Sequence, residues 1–244
     1  MGLTSFPQGM RVAVWGASGG LGGAFVETLA QHERVAEVVA LSRQRYVEKG
    51  KIRALTYDSK DGNSINKAAE EAAAGQTLQL VLVATGTLHS TAYQPEKALR
   101  QLNPEGFQEV MRINALLPAL IAQAMMGHLD RERSVFAALS ARVGSISDNH
   151  LGGWHSYRAS KAALNMLLRN IAIETARRNK GAIVIGLHPG TVDTSLSEPF
   201  QGNVPEGKLF QPPAAARDML KAIDGLTPDA SGQCFDYAGQ VIPF

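Results

Sequence analysis

Apolar and polar positions along this chain follow two rhythms that take turns. Arg11 to Trp15 is a short apolar run that stops at Gly16 and reads as a buried parallel strand. Further strands are expected at Glu37 to Leu41, Ile52 to Tyr57, Leu78 to Ala84, Val135 to Leu139 and Ala182 to Leu187. Between them the apolar period lengthens to that of a helix. Phe25 to Gln31 follows a glycine cluster, and Asn63 to Ala74 is rich in Ala and Glu and ends at Gly75. Phe107 to Gly127 contains a long helix that Pro118 could bend, and Ser156 to Arg178 is long and amphipathic. Such alternation argues for parallel strands joined by right-handed helical crossovers. Gly144 to Trp154 and Ser195 to Gln211 show no clear period and read as functional loops.

Composition narrows the classes. The net charge of +2 gives no field that would recruit nucleic acid or an anionic membrane. Cys234 is the single cysteine, so no intrachain disulfide forms and a reduced, cytoplasmic setting is expected. Met1 to Met10 lacks the charge-then-apolar order of a signal peptide. No apolar run approaches the roughly 20 residues of a membrane helix. Histidines 150, 155 and 188 lack a supporting ligand cluster, so no metal is expected; His155 could line a site mouth or lie on the surface.

The chemistry begins at Gly16-Ala-Ser18-Gly-Gly20-Leu21-Gly22, between the first strand and first helix. Small residues let the backbone turn sharply and approach a pyrophosphate, which the helix N-terminus favours with free N–H groups and its dipole. The second strand ends Leu41-Ser42-Arg43, where a carboxylate would select a ribose 2′-hydroxyl. A hydroxyl and a guanidinium favour a 2′-phosphate instead, so NADP(H) is expected over NAD(H), with Arg45 as a second contact. Asp58 could accept from an adenine amino group or simply start a turn. Tyr157 and Lys161 are spaced i and i+4 and share a helix face. A nearby ammonium favours the phenolate and makes a phenol a usable acid or base.

Gly16 to Gly22, Asn114, Tyr157, Lys161 and Pro189-Gly190 match, in order and rough spacing, the short-chain dehydrogenase/reductase pattern. The chain resembles that family over essentially its full length. Ser140 to Asn165 further resembles the C-factor and sniffer-type carbonyl reductase subgroup. The resemblance implies an α/β fold: one doubly wound Rossmann domain over 1–244, a mostly parallel seven-stranded sheet and helices on both faces. It implies a nicotinamide cofactor and hydride transfer to or from a carbonyl or alcohol. Tyr157 would be the acid in reduction. Lys161 would lower its pKa and hold ribose hydroxyls, and Asn114 would support a water-linked proton relay. Pro189, Gly190, the backbone near Val192 and the Thr194 hydroxyl would hold the carboxamide. The family also implies pairing through the two long helices as a homodimer or homotetramer; Leu164, Leu167, Leu168 and Ile171 fit that.

Two departures stand out. The family's Asn-Asn-Ala-Gly after the fourth strand is here Val83-Ala84-Thr85-Gly86, which keeps the close backbone approach at Ala84 and Gly86 and loses the asparagine contacts. The substrate-orienting serine falls, counting back from Gly144, on Ala141. A one-residue shift could aim Ser140 at the substrate, with Ser145 and Ser147 as weaker substitutes. Trp154, Phe200 and Phe210 could form an apolar substrate wall or ordinary packing. Two functions compete: NADP(H)-dependent reduction of a carbonyl substrate, which Tyr157, Lys161 and Asn114 favour, and a cofactor-binding regulator, which Ala141 favours.

Overall fold

The computed structural model describes residues 2–244. The six expected strands form, as β1 (Met10–Trp15), β2 (Val35–Ser42), β3 (Ile52–Thr56), β4 (Leu80–Val83), β5 (Ser134–Leu139) and β6 (Ala182–His188). A two-residue pair, β7 (Thr191–Val192) and β8 (Leu209–Phe210), stands apart from them. A C-terminal hairpin, β9 (Cys234–Asp236) and β10 (Val241–Ile242), completes the main sheet. Its order is β3-β2-β1-β4-β5-β6-β9-β10. It therefore has eight strands where seven were expected, because β10 returns antiparallel against β9. All other neighbours in it are parallel.

The strands are apolar on both faces because helices cover both. In β1, Val12 and Val14 face one layer while Ala13 and Trp15 face the other. On the first face lie α1 (Gly20–Ala30) and α6 (Pro212–Asp224), which bury Phe25, Leu29, Met219 and Ile223. On the second lie α2 (Gly62–Ala73), α4 (Leu117–Met125) and α5 (His155–Ala176), with Ile65, Ile121, Met125, Leu164 and Leu168 inside. Each such side chain contributes roughly 1.5–3 kcal/mol by leaving water. Leu164 and Leu168 are thus spent on the core, and the expected pairing face cannot use them.

The long helix expected over Phe107 to Gly127 starts earlier, at Pro104, where Asn103 caps it by accepting from Gly106 N at 2.7 Å. It runs as α3 (Pro104–Met111), a π turn over Arg112–Leu116, and α4. Leu117 N reaches back five residues to Arg112 O, so the irregularity lies before Pro118. By length and composition, Pro104–His128 is a helix long and apolar enough to cross a membrane, although Glu105, Glu109 and Arg112 interrupt it and no apolar run of that length occurs in it. Its Leu117, Ile121 and Met125 are packed on the sheet.

Candidate functional site

The strand order reverses between β1 and β4, and a cleft opens at the carboxyl ends of the strands there. Gly16, with φ at +86°, ends β1 in a conformation that side chains resist. A Cβ on Gly22 would lie 2.1 Å from Gly16 O, so the turn closes only on glycine. Helix α1 starts directly from this turn with no side-chain cap on its N-terminus. Uncapped N–H groups and a positive dipole end therefore meet the cleft at Gly20 and Leu21. The cleft encloses about 350 Å³. Ala84 and Gly86 line it after β4, and Pro189, Gly190, Val192 and Thr194 line it after β6. These residues fit a phosphate-bearing dinucleotide.

Tyr157 and Lys161 both line this cleft from the first turns of α5. Lys161 is 3% exposed, and its Nζ donates to Leu139 O at 2.8 Å. Burial pulls its pKa down to about 8. Burial pushes the half-buried Tyr157 phenol up to about 12. The lowering expected from Lys161 is therefore not seen: Nζ stands over the ring, 5.6 Å from its centroid. Asn114 belongs to the π turn and is fully buried. Its Oδ1 accepts from Thr87 N at 2.8 Å, while Nδ2 donates to Thr87 O at 2.8 Å and Ser160 Oγ at 3.0 Å. The side chain is thus a clamp between the loop after β4 and α5. A methyl group built on Gly86 would lie 3.6 Å from Asn114 Oδ1 and 3.9 Å from Lys161 Nζ. Both groups therefore border one small space.

Several expected contacts are corrected. Ser140 borders the cleft, but its Oγ donates to Asn165 Oδ1 at 2.6 Å and the residue is 3% exposed. Strand alternation directs it toward α5, and its hydroxyl is already used. Ser147 Oγ donates to Phe244 O, which leaves Ser145 Oγ to donate to Ser147 Oγ at 3.4 Å while accepting from Asp148 N, so neither substitute is free. Ser42 is buried and its hydroxyl donates to Gln44 O, closing its own turn instead of facing a phosphate. Arg43 and Arg45 are exposed at the end of β2. Ser18 is exposed on the glycine turn. Asp58 is exposed and accepts from Lys60 N at 2.9 Å, which is the turn-starting role. Trp154 and Phe200 do meet across the cleft, ring centroids 5.2 Å apart, and Trp154 lies edge-on to Tyr157 at 6.1 Å. Phe210 instead packs on Tyr237 behind the loop.

Two site residues were not anticipated. Glu96, from the loop after β4, is 5% exposed. Its carboxylate accepts from Ser156 N at 3.1 Å and from the Ser156 hydroxyl, and its carbonyl accepts from Trp154 N at 2.5 Å. It caps α5 in the turn that carries Tyr157, where Trp154 sits left-handed with φ at +48° and no cap of its own. A second cavity of about 250 Å³ lies beside it and shares Leu88 and Tyr157 with the main cleft. His188 ends β6 and lines the main cleft. Its Nδ1 is enclosed without a partner, and burial pulls its pKa down to about 4. An acid–base signature outside any spacing motif had marked neither residue.

With this geometry in hand, comparison with known proteins places the chain. The short chain dehydrogenase family model matches residues 10–204, and the chain belongs to that family of oxidoreductases. Among individual proteins it is similar to C-signal of Myxococcus xanthus, 37% identical over 60% of this chain and 84% of that protein. It is also similar to a Rhodococcus 1-hydroxy-2-glutathionyl-2-methyl-3-butene dehydrogenase, 39% identical over 50% of this chain and about half (52%) of that enzyme. The NADPH-bound carbonyl reductase from chicken fatty liver superposes with a TM-score of 0.82, at 25% identity, covering 98% of this chain and 100% of that one. The carbonyl reductase Sniffer of Drosophila melanogaster shares the fold, with a TM-score of 0.81 at 18% identity, covering 97% and 100% of the two chains.

Proposed function

We propose that this protein reduces a carbonyl compound to an alcohol with NADPH. The observation that carries the reading is the meeting of Tyr157 and Lys161 in one cleft with the uncapped N-terminus of α1. The N–H groups at Gly20 and Leu21 would hold the pyrophosphate, and Lys161 Nζ the nicotinamide ribose. Arg43, exposed at the end of β2, would pair with a 2′-phosphate, which is why NADPH is favoured. Val192 and Thr194 would hold the carboxamide. The bound cofactor supplies a hydride to the carbonyl carbon. Tyr157 Oη gives its proton to the carbonyl oxygen; burial holds the phenol protonated until then, and the charge of Lys161 would stabilise the phenolate that forms.

Reprotonation of Tyr157 needs a path, and the side chain of Asn114 is already committed. Its main-chain carbonyl would take the task instead. Pro118 has no N–H to give it at the usual four-residue spacing, so a water can bind there and lead to Lys161. Trp154 and Phe200 make the wall against which an apolar substrate body would rest.

A second reading, a cofactor-binding signalling protein, is favoured by the committed hydroxyl of Ser140 and by the similarity to C-signal. One experiment separates the two. Loss of dihydronicotinamide absorbance is followed with NADPH and NADH against aldehydes, ketones and quinones, for the parent and for Tyr157→Phe. The reductase reading expects turnover with NADPH above NADH, reduced at least about 1000-fold in the variant. Tight NADPH binding without turnover across the panel would replace it with the signalling reading.

A further inference from the structure

We propose that His188 fixes the substrate's oxygen beside Tyr157, by donating a hydrogen bond from its Nε2–H. This rests on the reductase reading above. A carbonyl oxygen gains charge as hydride arrives, and preorganised donors aimed at it lower the barrier most. Tyr157 is one donor. Past the end of β5 the serine protons are used: Ser140 donates to Asn165 Oδ1, Ser147 to Phe244 O, and Ser145, with the Ser147 proton already spent, to Ser147 Oγ at 3.4 Å. Ala141, which lines the cleft, has nothing to donate.

His188 sits where such a donor is needed. Leu139 pairs with Leu187 in the β5–β6 ladder, and Ser140 N donates to Leu187 O at 2.7 Å. His188 therefore follows beside Ser140 on the same sheet face, the face covered by α5. The residue lines the cleft together with Tyr157 and Lys161. The two ring nitrogens differ. Nδ1 is enclosed with no partner, whereas Nε2 is neither enclosed nor hydrogen-bonded among the described residues. Stranding an N–H at Nδ1 would cost more than leaving a lone pair there. The proton of the neutral ring therefore belongs on Nε2, facing reachable space. Burial, Arg142 and Lys161 all oppose a second proton, and Asp236, paired with His188 across β6–β9, only partly offsets them. The ring thus stays neutral and remains a donor of fixed tautomer through the working pH range.

The test uses the whole protein with NADPH and 4-nitrobenzaldehyde as the carbonyl probe. His188→Leu is expected to lower kcat by about 100-fold while NADPH affinity, read by fluorescence, stays within twofold. His188→Gln, which keeps a donor, should hold kcat within about tenfold of the parent. Ala141→Ser placed in the His188→Leu background should restore at least tenfold. A His188→Leu kcat within threefold of the parent overturns the proposal and leaves the reductase reading intact. A folding defect in the variants, or a parent without turnover, leaves a direct measurement on the parent. Long-range 1H–15N spectra at about pH 6 to 8 should show the Nε2–H tautomer, and the unreactive carbonyl 4-nitrobenzamide should shift Nε2 in the presence of NADPH. An Nδ1–H tautomer, or an unmoved Nε2, overturns the proposal independently of activity.

Discussion

Lys161 carries its charge against the preference of its surroundings. In the unfolded chain its pKa is the ordinary 10.5; burial in the fold pulls it to about 8. Between those values the unfolded chain binds a proton that the folded one does not, so on this account stability rises with pH from about 8 to 10.5. Below 8 the folded protein bears the whole penalty, at most about 3 kcal/mol at 1.36 kcal/mol per pKa unit. Tyr157 and Cys234 act in the opposite sense: burial raises them to about 12 and 11, so the unfolded chain loses their protons first and stability falls above about 9 to 10. A comparison that cancels them is needed. We expect cofactor-free Lys161→Met to resist urea better than the parent at pH 7, with the advantage shrinking toward pH 10. The lost bond to Leu139 O offsets about 1 kcal/mol at every pH. A difference that stayed flat with pH would show that Lys161 is not the strained group.

The element that matters most for the site is α5, and its start is held from outside. Trp154 offers no cap, and the buried carboxylate of Glu96 takes the orphan N–H of Ser156 and its hydroxyl. Glu96→Ala should cost about 1–3 kcal/mol in denaturant unfolding and lower kcat more than it raises KM, because Tyr157 sits in the turn it fixes. Glu96→Gln, which still accepts from Ser156 N, should recover most of the stability. Loss of stability with unchanged kcat would make Glu96 a cap and nothing more. None of this was legible in the sequence, because Glu96 lies in irregular backbone between β4 and α3 and reaches α5 across 60 residues. Tyr157 and Lys161 were legible, since an i, i+4 pair on a helix carries its own geometry. Ser140 misled because its letter cannot reveal that Asn165, one turn beyond Lys161, takes its hydroxyl. Strands β1 to β6 announced themselves as apolar runs. Helix α6 did not, although Ala215, Met219 and Ile223 repeat every four residues, because its Pro212-Pro213 opening resembles a loop. The β9–β10 hairpin is too short to show any period.

At the scale of the whole molecule, the apolar face of the long helical pair asks for cover. The Pro104–His128 helix is apolar enough to draw attention, yet only part of it reaches the core: Leu117, Ile121 and Met125 are inside, while Leu116 is exposed. On α5, Leu164 and Leu168 go inward and Met166 and Ile173, two turns apart on one face, remain exposed. Large apolar side chains gathered on adjoining helices mark an interaction face more often than scattered ones do. We propose that a second copy of this chain covers it, in a self-complementary contact of the kind a twofold axis produces. With a net charge of only +2, repulsion between copies is slight. Sedimentation at micromolar concentration should therefore give a dimer or tetramer, and Met166→Glu, which places a charge on the exposed side of α5 without touching the core, should shift it to monomer. If the parent sediments as a monomer, this face has another occupant. If the parent associates and Met166→Glu still does, the copies meet elsewhere and α5 is free of the contact.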